Sequence, residues 1–185
     1  RPGVVYGPGA KYGAAQVFDA FAVLPVIPVP VNFDYRFGTV HVRDIAGAAI
    51  YVSGKKEAAG ETYGVVDSSG VTIAEFFKLI ANAMGKPALP IYVPPKLSRE
   101  LGLVAATISE WLAKNVTKTK PLLERGPIQF FPVDMYVSNQ KLLDLGYEFE
   151  YPAPDRGVRE TVEWMAENGV MDMTVLDLMK KIIER

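Results

Sequence analysis

The sequence predicts a single α/β domain over residues 1–185, rich in helices and with a few short strands. Several stretches place apolar residues at helical spacing, which indicates helices that pack on a core. At the start of the chain, the β-branched pair Val4-Val5 runs directly into Gly7-Pro8-Gly9, as in a short buried strand that ends at a loop. In parallel α/β sheets, ligands bind at such loops.

Composition excludes several classes of protein. The 20 basic and 21 acidic residues balance, so charge gives no reason to expect nucleic acid or an anionic membrane as a partner. The chain has no cysteine and one histidine, His41, which excludes disulfides, thiolate sites and multi-histidine metal sites. No apolar run reaches the roughly 20 residues of a membrane span. We expect a cytoplasmic protein.

The first half of the chain predicts a helix, an edge segment, a strand and a second helix. Ala14 to Val23 is rich in Ala, Val and Phe and favours a short helix. Leu24 to Pro30 contains three prolines, which exclude a central strand and indicate an extended or edge segment. Phe37 to Val42 is a strand candidate. Arg43 to Ser53 is apolar nearly all round, so we expect a buried helix.

The second half predicts further helices between short extended segments. Tyr63 to Asp67 and Leu89 to Val93 are strand candidates. Thr72 and Glu75 form a capping box for a helix that stops at Gly85. Further helices are expected at four places: from about Ser98 to Asn115, after Ser138-Asn139, from Asp155 as cap to Asn168-Gly169, and from Thr174 onward.

Three ordered motifs carry a family resemblance. Residues 1–9 (RPGVVYGPG) resemble the strand that follows the catalytic helix in extended short-chain dehydrogenases/reductases, the NAD-dependent epimerase/dehydratase family. Residues 37–46 (FGTVHVRDIA) resemble the segment of that family that leads into a helix near the substrate cleft. Leu145-Gly146-Tyr147, followed by residues 157–164 (GVRETVEW), is similar to the family's ending. The resemblance implies the C-terminal part of an extended Rossmann-type fold with a small substrate-binding lobe.

The same resemblance implies a function. The parent protein would oxidise, reduce or epimerise a carbinol carbon with NAD or NADP, using an upstream tyrosine as acid/base. The N-terminal cofactor-binding half would lie upstream, so we expect this chain to be catalytically inert alone. The family places backbone at Pro2, Gly3 and Val4 near the nicotinamide. The residues it places near a small-molecule substrate are Tyr6, Pro8, His41 and Arg36.

Two local patterns match functional motifs by chance in our interpretation. Tyr51 and Lys55 have the Tyr-x-x-x-Lys spacing of the family's catalytic pair, but Gly54 intervenes, and in the family the pair precedes the Arg-Pro-Gly strand. The spacing of Gly7, Gly9 and Gly13 is not that of a dinucleotide fingerprint, so we interpret these glycines as turn residues.

Some residues leave alternatives open. His41 either faces the substrate or hydrogen-bonds backbone beside Asp44 acting as a helix cap. Val4 and Phe37 stand where many sugar-nucleotide epimerases carry Asn and Arg, and neither side chain can hydrogen-bond a phosphate. This disfavours a sugar-nucleotide substrate, unless Arg36 supplies the phosphate contact from one position away.

Two rivals to the enzyme interpretation remain. The first is a non-catalytic binding or regulatory module on the same fold. The second is a self-sufficient interaction domain whose apolar excess, with a hydrophobic fraction of 49%, forms an oligomer interface, for example that of a homodimer. The upstream sequence separates the first from an enzyme, and sedimentation tests the second.

Overall fold

The chain combines short parallel strands with longer helices, which confirms the α/β fold class. The structure is a computed structural model that describes residues 1–11, 13–112, 114–115, 125 and 134–172. Its elements in chain order are β1 (Val4–Tyr6), α1 (Ala14–Val23), β2 (Ile27–Pro30), β3 (Thr39–His41), α2 (Val42–Ser53), α3 (Ile73–Ala83), β4 (Ala88–Ile91), α4 (Pro95–Leu112), α5 (Gln140–Asp144) and α6 (Pro154–Glu167).

The strands form two parallel pairs. β1 pairs with β3, so that Val4 lies opposite Thr39 and Tyr6 opposite His41. β2 pairs with β4 from Ile27 opposite Ala88 onward. Because this sheet has only two strands, both are edge strands, and an edge strand tolerates prolines, which have no N–H group to donate. The expected strand at 63–67 is reduced to a single parallel bridge between Val65 and Pro2.

The core lies where α3 and α6 pack together beside β1 and β3. Its largest fully buried side chains include Tyr6, Phe18, Phe76 and Ile80. The capping box that begins α3 is present as predicted: Thr72 Oγ1 accepts from the Glu75 N–H at 3.2 Å, and the Thr72 N–H donates to Glu75 Oε2 at 2.8 Å. Such a cap stabilises a helix by about 1 kcal/mol.

A lysine from a distant segment caps the end of α1. Lys86 Nζ donates to the carbonyl oxygens of Phe21 at 2.9 Å, Ala22 at 2.5 Å and Leu24 at 2.9 Å. These carbonyls lie in the last turn of the helix and at its C-cap, Leu24, where helical partners run out; that of Phe21 also accepts from the Leu24 N–H at 3.3 Å. Lys86 therefore joins α1 to the turn between α3 and β4.

The structure corrects three expectations about helices. α2 is not a buried helix, because only Asp44 and Ala48 are buried and Ile50 is 74% exposed. α4 begins at Pro95 rather than near Ser98, and two residues of the apolar stripe that predicts this helix, Val104 and Ile108, are exposed. α6 begins at Pro154, whose missing N–H suits a first helical position, so Asp155 lies in the first turn and is not the cap.

Two absences concern the described part of the chain only. No helix there combines the length and apolarity needed to cross a membrane. The same residues contain no cluster of His, Asp and Glu side chains that would hold a metal ion. The helix expected from Thr174 lies outside the described residues.

Candidate functional site

A cavity of about 450 Å³ opens at the carboxyl end of β1. The loop after β1, the first turns of α1 and the second half of α6 form its wall. Its side chains include those of Tyr6, Lys11, Phe18, Asp19, Trp164 and Met165. This is the position at which parallel α/β proteins bind ligands, and the volume is in the range of small-molecule sites.

Two glycines make the loop that forms the cavity floor. Gly7 and Gly9 have φ angles of +135° and +77°, which L side chains rarely adopt. Gly7 is also crowded, since a Cβ atom there would lie 2.6 Å from Val42 Cγ1 and 3.0 Å from His41 Nε2. The loop therefore turns sharply and passes against the start of α2, as the sequence predicts for turn glycines.

Tyr6, which lines the cavity, forms a buried aromatic pair with His41 behind it. Both are fully buried, and their ring centroids lie 5.4 Å apart in an edge-to-face arrangement. Tyr6 Oη and His41 Nε2 have no hydrogen-bond partner within the described residues. Burial, with Asp67 and Asp44 nearby, raises the pKa of Tyr6 far above its ordinary value, so its hydroxyl stays protonated.

The first turns of α6 press on this pair. A Cβ atom at Gly157 would lie 2.6 Å from Tyr6 Oη and 3.0 Å from His41 Cδ2. Glycine therefore allows α6 to approach the two rings more closely than any other residue would. The family-like motif of residues 157–164 begins at this contact.

His41 also starts α2. Its Nδ1 accepts a hydrogen bond from the Arg43 N–H at 3.4 Å, so the neutral ring carries its hydrogen on Nε2. Burial lowers the pKa of His41, although Glu160 and Asp44 act in the opposite direction. The interpretation that His41 hydrogen-bonds backbone is confirmed, and His41 rather than Asp44 is the helix cap.

Asp44 instead joins the second motif to the third. Its carboxylate is buried and accepts from the N–H groups of Glu150 at 2.8 Å and Tyr151 at 3.0 Å. The Tyr147 hydroxyl donates to the Asp44 carbonyl at 3.0 Å, and it packs closely against Gly47. These contacts place Tyr151 directly over His41.

Tyr151 links the buried pair to a charged surface network. Its ring centroid lies 3.8 Å from that of His41, and Arg156 lies over its other face at 4.2 Å. Arg43 donates to Tyr151 Oη at 3.1 Å and forms an ion pair with Glu160 at 2.6 Å. Arg43 is therefore occupied by protein groups in this structure.

The predicted substrate residues do not all meet. Tyr6 lines the cavity, His41 lies behind it and Pro8 follows in the same loop. Arg36 is exposed and is not in the cavity wall; its N–H donates to Asp134 Oδ1 at 2.9 Å, and its guanidinium lies 5.9 Å from the Tyr136 ring. The neighbouring Phe37 is buried in the core, 5.4 Å from the ring of Phe76.

The predicted cofactor residues lie at the entry to β1. Pro2 is exposed, and Gly3 and Val4 are half-buried. Gly3 packs so closely that a Cβ atom there would lie 2.2 Å from the Gly38 carbonyl oxygen. The backbone at this point therefore requires glycine.

The Tyr51–Lys55 pair does not have catalytic geometry. α2 ends at Ser53, before the lysine. The Tyr51 hydroxyl donates to the Leu145 carbonyl at 3.0 Å, while Lys55 Nζ lies over the Tyr51 ring at 4.6 Å. An ammonium over the ring face stabilises no phenolate oxygen, which agrees with a chance match.

Sequence reasoning missed most of the cavity. Trp164 was interpreted as a core or interface residue, and Phe18, Lys11 and Asp19 were not candidates for a site. One signal was available: Asp19 is the only charged residue in the apolar helix α1, and it is nonetheless buried. An acidic side chain at such a position indicates a polar function or a specific partner.

Comparison with known proteins rests on structure alone. No family model and no curated protein matches the chain. An epimerase from Methanothermobacter thermautotrophicus matches with a TM-score of 0.64 and 18% identity, over 94% of this chain and 45% of its own. The UDP-glucose 4-epimerase of Thermotoga maritima matches with a TM-score of 0.59 and 19% identity, over 91% and 45%. A human epimerase family protein matches with a TM-score of 0.57 and 18% identity, over 88% and 47%.

The chain has the fold of part of a Rossmann-like epimerase. It spans less than half the length of each of these solved structures, whereas they cover nearly all of it. At identities of this level the likeness establishes the fold and leaves activity and substrate open.

Proposed function

We propose that this chain is the substrate-binding, C-terminal part of an NAD(P)-dependent oxidoreductase or epimerase that acts on a carbinol carbon. The cofactor-binding half and the acid/base tyrosine would belong to upstream residues of the same protein. The observation that carries the proposal is a small-molecule cavity at the carboxyl end of β1, in a fold that matches about half of each epimerase neighbour.

The neighbours support the cofactor and the binding of a small molecule. The human epimerase family protein was solved with NADPH, and a UDP-glucose 4-epimerase from Thermus thermophilus with NAD. The Thermotoga enzyme was solved with UDP-glucose. A bound nicotinamide would accept or return the hydride, and this chain would bind and orient the molecule that carries the carbinol carbon.

The site residues take the following roles in this proposal. The backbone of Pro2, Gly3 and Val4 would face the nicotinamide from the start of β1. Tyr6 would contact the substrate through its ring at the cavity wall, while its hydroxyl, kept protonated by burial, stays packed against Gly157. His41 would hold the Tyr6 ring in place, Pro8 would shape the loop beside it, and Arg36 would meet a polar group from outside the cavity.

An exposed apolar face of α2 supports the proposal that another part of the protein packs against this helix. Ala46, Ala49 and Ile50 are exposed apolar residues at helical spacing on one face. A face of this kind is unusual on a free surface and is typical of a contact region. In our proposal the upstream cofactor-binding half covers it.

Calorimetry with NAD⁺ and NADP⁺ tests whether cofactor binding requires the upstream residues. The isolated chain is expected to show no tight binding, and the longer protein with its upstream residues is expected to bind one of the two and to oxidise secondary alcohols. Tight cofactor binding by the isolated chain would contradict the proposal. A longer protein that binds ligand but neither cofactor would support the non-catalytic module instead.

A matched pair of variants locates the acid/base in the longer protein. Tyr51→Phe is expected to leave the turnover rate unchanged, because its hydroxyl bonds the Leu145 carbonyl. Replacing the upstream tyrosine that we propose as acid/base is expected to lower the turnover rate by roughly 10²-fold or more. A collapse of activity in Tyr51→Phe with the fold intact would place the chemistry on this chain.

A further inference from the structure

We infer that the cavity between α1 and α6 binds an uncharged, ring-bearing molecule with one hydroxyl or carbonyl group, and not a nucleotide diphosphate. The inference rests on the proposed function, because it names the substrate class of the same cavity. It is carried by the shape, charge and hydrogen-bonding capacity of the cavity wall.

Aromatic and aliphatic side chains form most of the wall. Phe18 of α1 and Met165 of α6 are 1% and 3% exposed, so their positions are fixed by the core. Trp164 is half-buried and presents its indole at the wall. A flat apolar ring that enters between these side chains replaces water against apolar surface, and it gains aromatic contact with the indole.

The charges at the cavity do not suit a diphosphate. Lys11 is exposed at the mouth, while Asp19 is 6% exposed in the wall. The two charges are opposite in sign, so the cavity has no excess of positive charge. Proteins hold diphosphates with several cations or with the paired N–H groups of arginine, and neither Arg36 nor Arg43 is in the wall.

Two polar side chains at the wall donate their hydrogens to protein carbonyls. Thr161 Oγ1 donates its hydrogen to the Gly157 carbonyl at 2.7 Å. The Asn168 side-chain N–H donates to the Trp164 carbonyl at 2.8 Å. A nucleotide or a sugar, which carries many donors and acceptors, would leave most of them unpaired here at a cost in affinity. A ligand with one polar group avoids that cost.

The chain offers a built-in reporter for this inference. It contains two tryptophans, Trp164 at the cavity and Trp111 on α4, which is 59% exposed and is not in the wall. In the Trp111→Phe background, fluorescence therefore reports on the cavity alone. The probes are 1-tetralone, a fused bicyclic ketone whose carbonyl quenches indole, and UDP-glucose, without any cofactor present.

We expect 1-tetralone to quench Trp164 saturably and to bind at least about tenfold more tightly than UDP-glucose, because its surface is apolar. Ala15→Met places a larger side chain in the wall and is expected to weaken tetralone binding by about tenfold or more. Ala166→Met makes the same change on the exposed side of α6 and is expected to leave it unchanged.

Two results would overturn the inference. One is saturable binding of UDP-glucose at Trp164 with weaker or no binding of 1-tetralone. The other is an Ala15→Met variant that is folded by circular dichroism and binds tetralone as Ala166→Met does. If Ala15→Met does not fold, Ala10→Leu in the loop of the same wall replaces it in the comparison.

The ligand class and the proposed function can fail independently in these experiments. The titration contains no NAD(P) and depends only on the cavity. A chain that binds 1-tetralone at Trp164, within a longer protein that shows no cofactor-dependent activity, would refute the proposed enzyme and support the ligand class. Cofactor-dependent turnover in a longer protein whose cavity prefers UDP-glucose would do the reverse.

Discussion

Replacing Lys86 by methionine is expected to destabilise the fold by about 2–3 kcal/mol, since hydrogen bonds that involve a charged group contribute roughly 1.5–3 kcal/mol. The ammonium donates to three carbonyl oxygens at the end of α1, those of Phe21, Ala22 and Leu24. Methionine keeps the length and apolar stem of the side chain but donates no hydrogen bond. The carbonyls of Ala22 and Leu24 would then have to find water at a half-buried position, while that of Phe21 keeps the Leu24 N–H.

The lower end of this range is set by an opposing effect. Taking the ammonium partly out of water costs free energy, and for the same reason burial lowers the pKa of Lys86. The three bonds therefore do not add in full, and a net value near 2 kcal/mol follows. For a domain of this size, that corresponds to a fall in Tm of about 4–8 °C.

Urea unfolding followed by far-ultraviolet circular dichroism measures the change. The control is Lys78→Met on the exposed face of α3, which is expected to alter the free energy of unfolding by less than about 0.5 kcal/mol. Hydrogen exchange should also show faster exchange of amides in the last turn of α1 in Lys86→Met. If Lys86→Met and Lys78→Met unfold at the same urea concentration, the cap does not stabilise the helix and the reasoning is wrong.

Three further changes test the site. Gly157→Ala should lower the free energy of unfolding by about 1–3 kcal/mol, because the added Cβ lies 2.6 Å from Tyr6 Oη. In a double-mutant cycle, Tyr6→Phe should recover part of this loss, and a loss that Tyr6→Phe does not change would contradict the explanation. Asp44→Ala should cost about 3 kcal/mol in urea unfolding, since the buried Tyr151 N–H and the part-buried Glu150 N–H lose their acceptor, and Asp44→Asn should cost less. Equal costs would argue against this. Burial raises the pKa of Asp67 above 3.8, so the native state holds this proton to higher pH than the unfolded chain. Stability should therefore fall as pH rises from about 3.8 through the raised value, and Asp67→Asn should remove that slope in a series of urea midpoints.

Local patterns in the sequence predicted several elements closely. The helix from Ala14 to Val23 was expected with the bounds observed, and the Thr72–Glu75 capping box is present as predicted. The prolines of β2 lie in a two-stranded edge, as their missing N–H groups require. Each of these depends on hydrogen bonds or conformational limits within a few residues, which a sequence displays directly.

The errors fall where burial depends on distant segments. The apolar composition of α2 was interpreted as burial, yet Ile50 is 74% exposed. Apolar spacing identifies a helix and one preferred face, but whether another segment covers that face depends on the rest of the fold. The same reason explains Val104 and Ile108 on α4, whose spacing predicted an inward stripe and whose side chains are exposed.

The candidate site likewise has features predicted from the sequence and others that depend on tertiary contacts. The sequence alone determined that a strand ending in turn glycines opens the chain, and it singled out Tyr6 and His41. Only the tertiary structure paired those two rings and pressed Gly157 against them, since Gly157 lies far away along the chain. It also brought Asp44 to the backbone of Glu150 and Tyr151, across more than 100 residues.

The cavity shows most clearly what sequence patterns cannot predict. Lys11 and Asp19 belong to the loop and helix after β1, whereas Trp164 belongs to a helix near the end of the described chain. No spacing rule joins them, because a cavity is the space left between elements once they have packed. The sequence determined which segments become helix, strand and turn, through interactions a few residues long. The packing of those elements determined which side chains surround a ligand, through contacts that exist only in the folded chain.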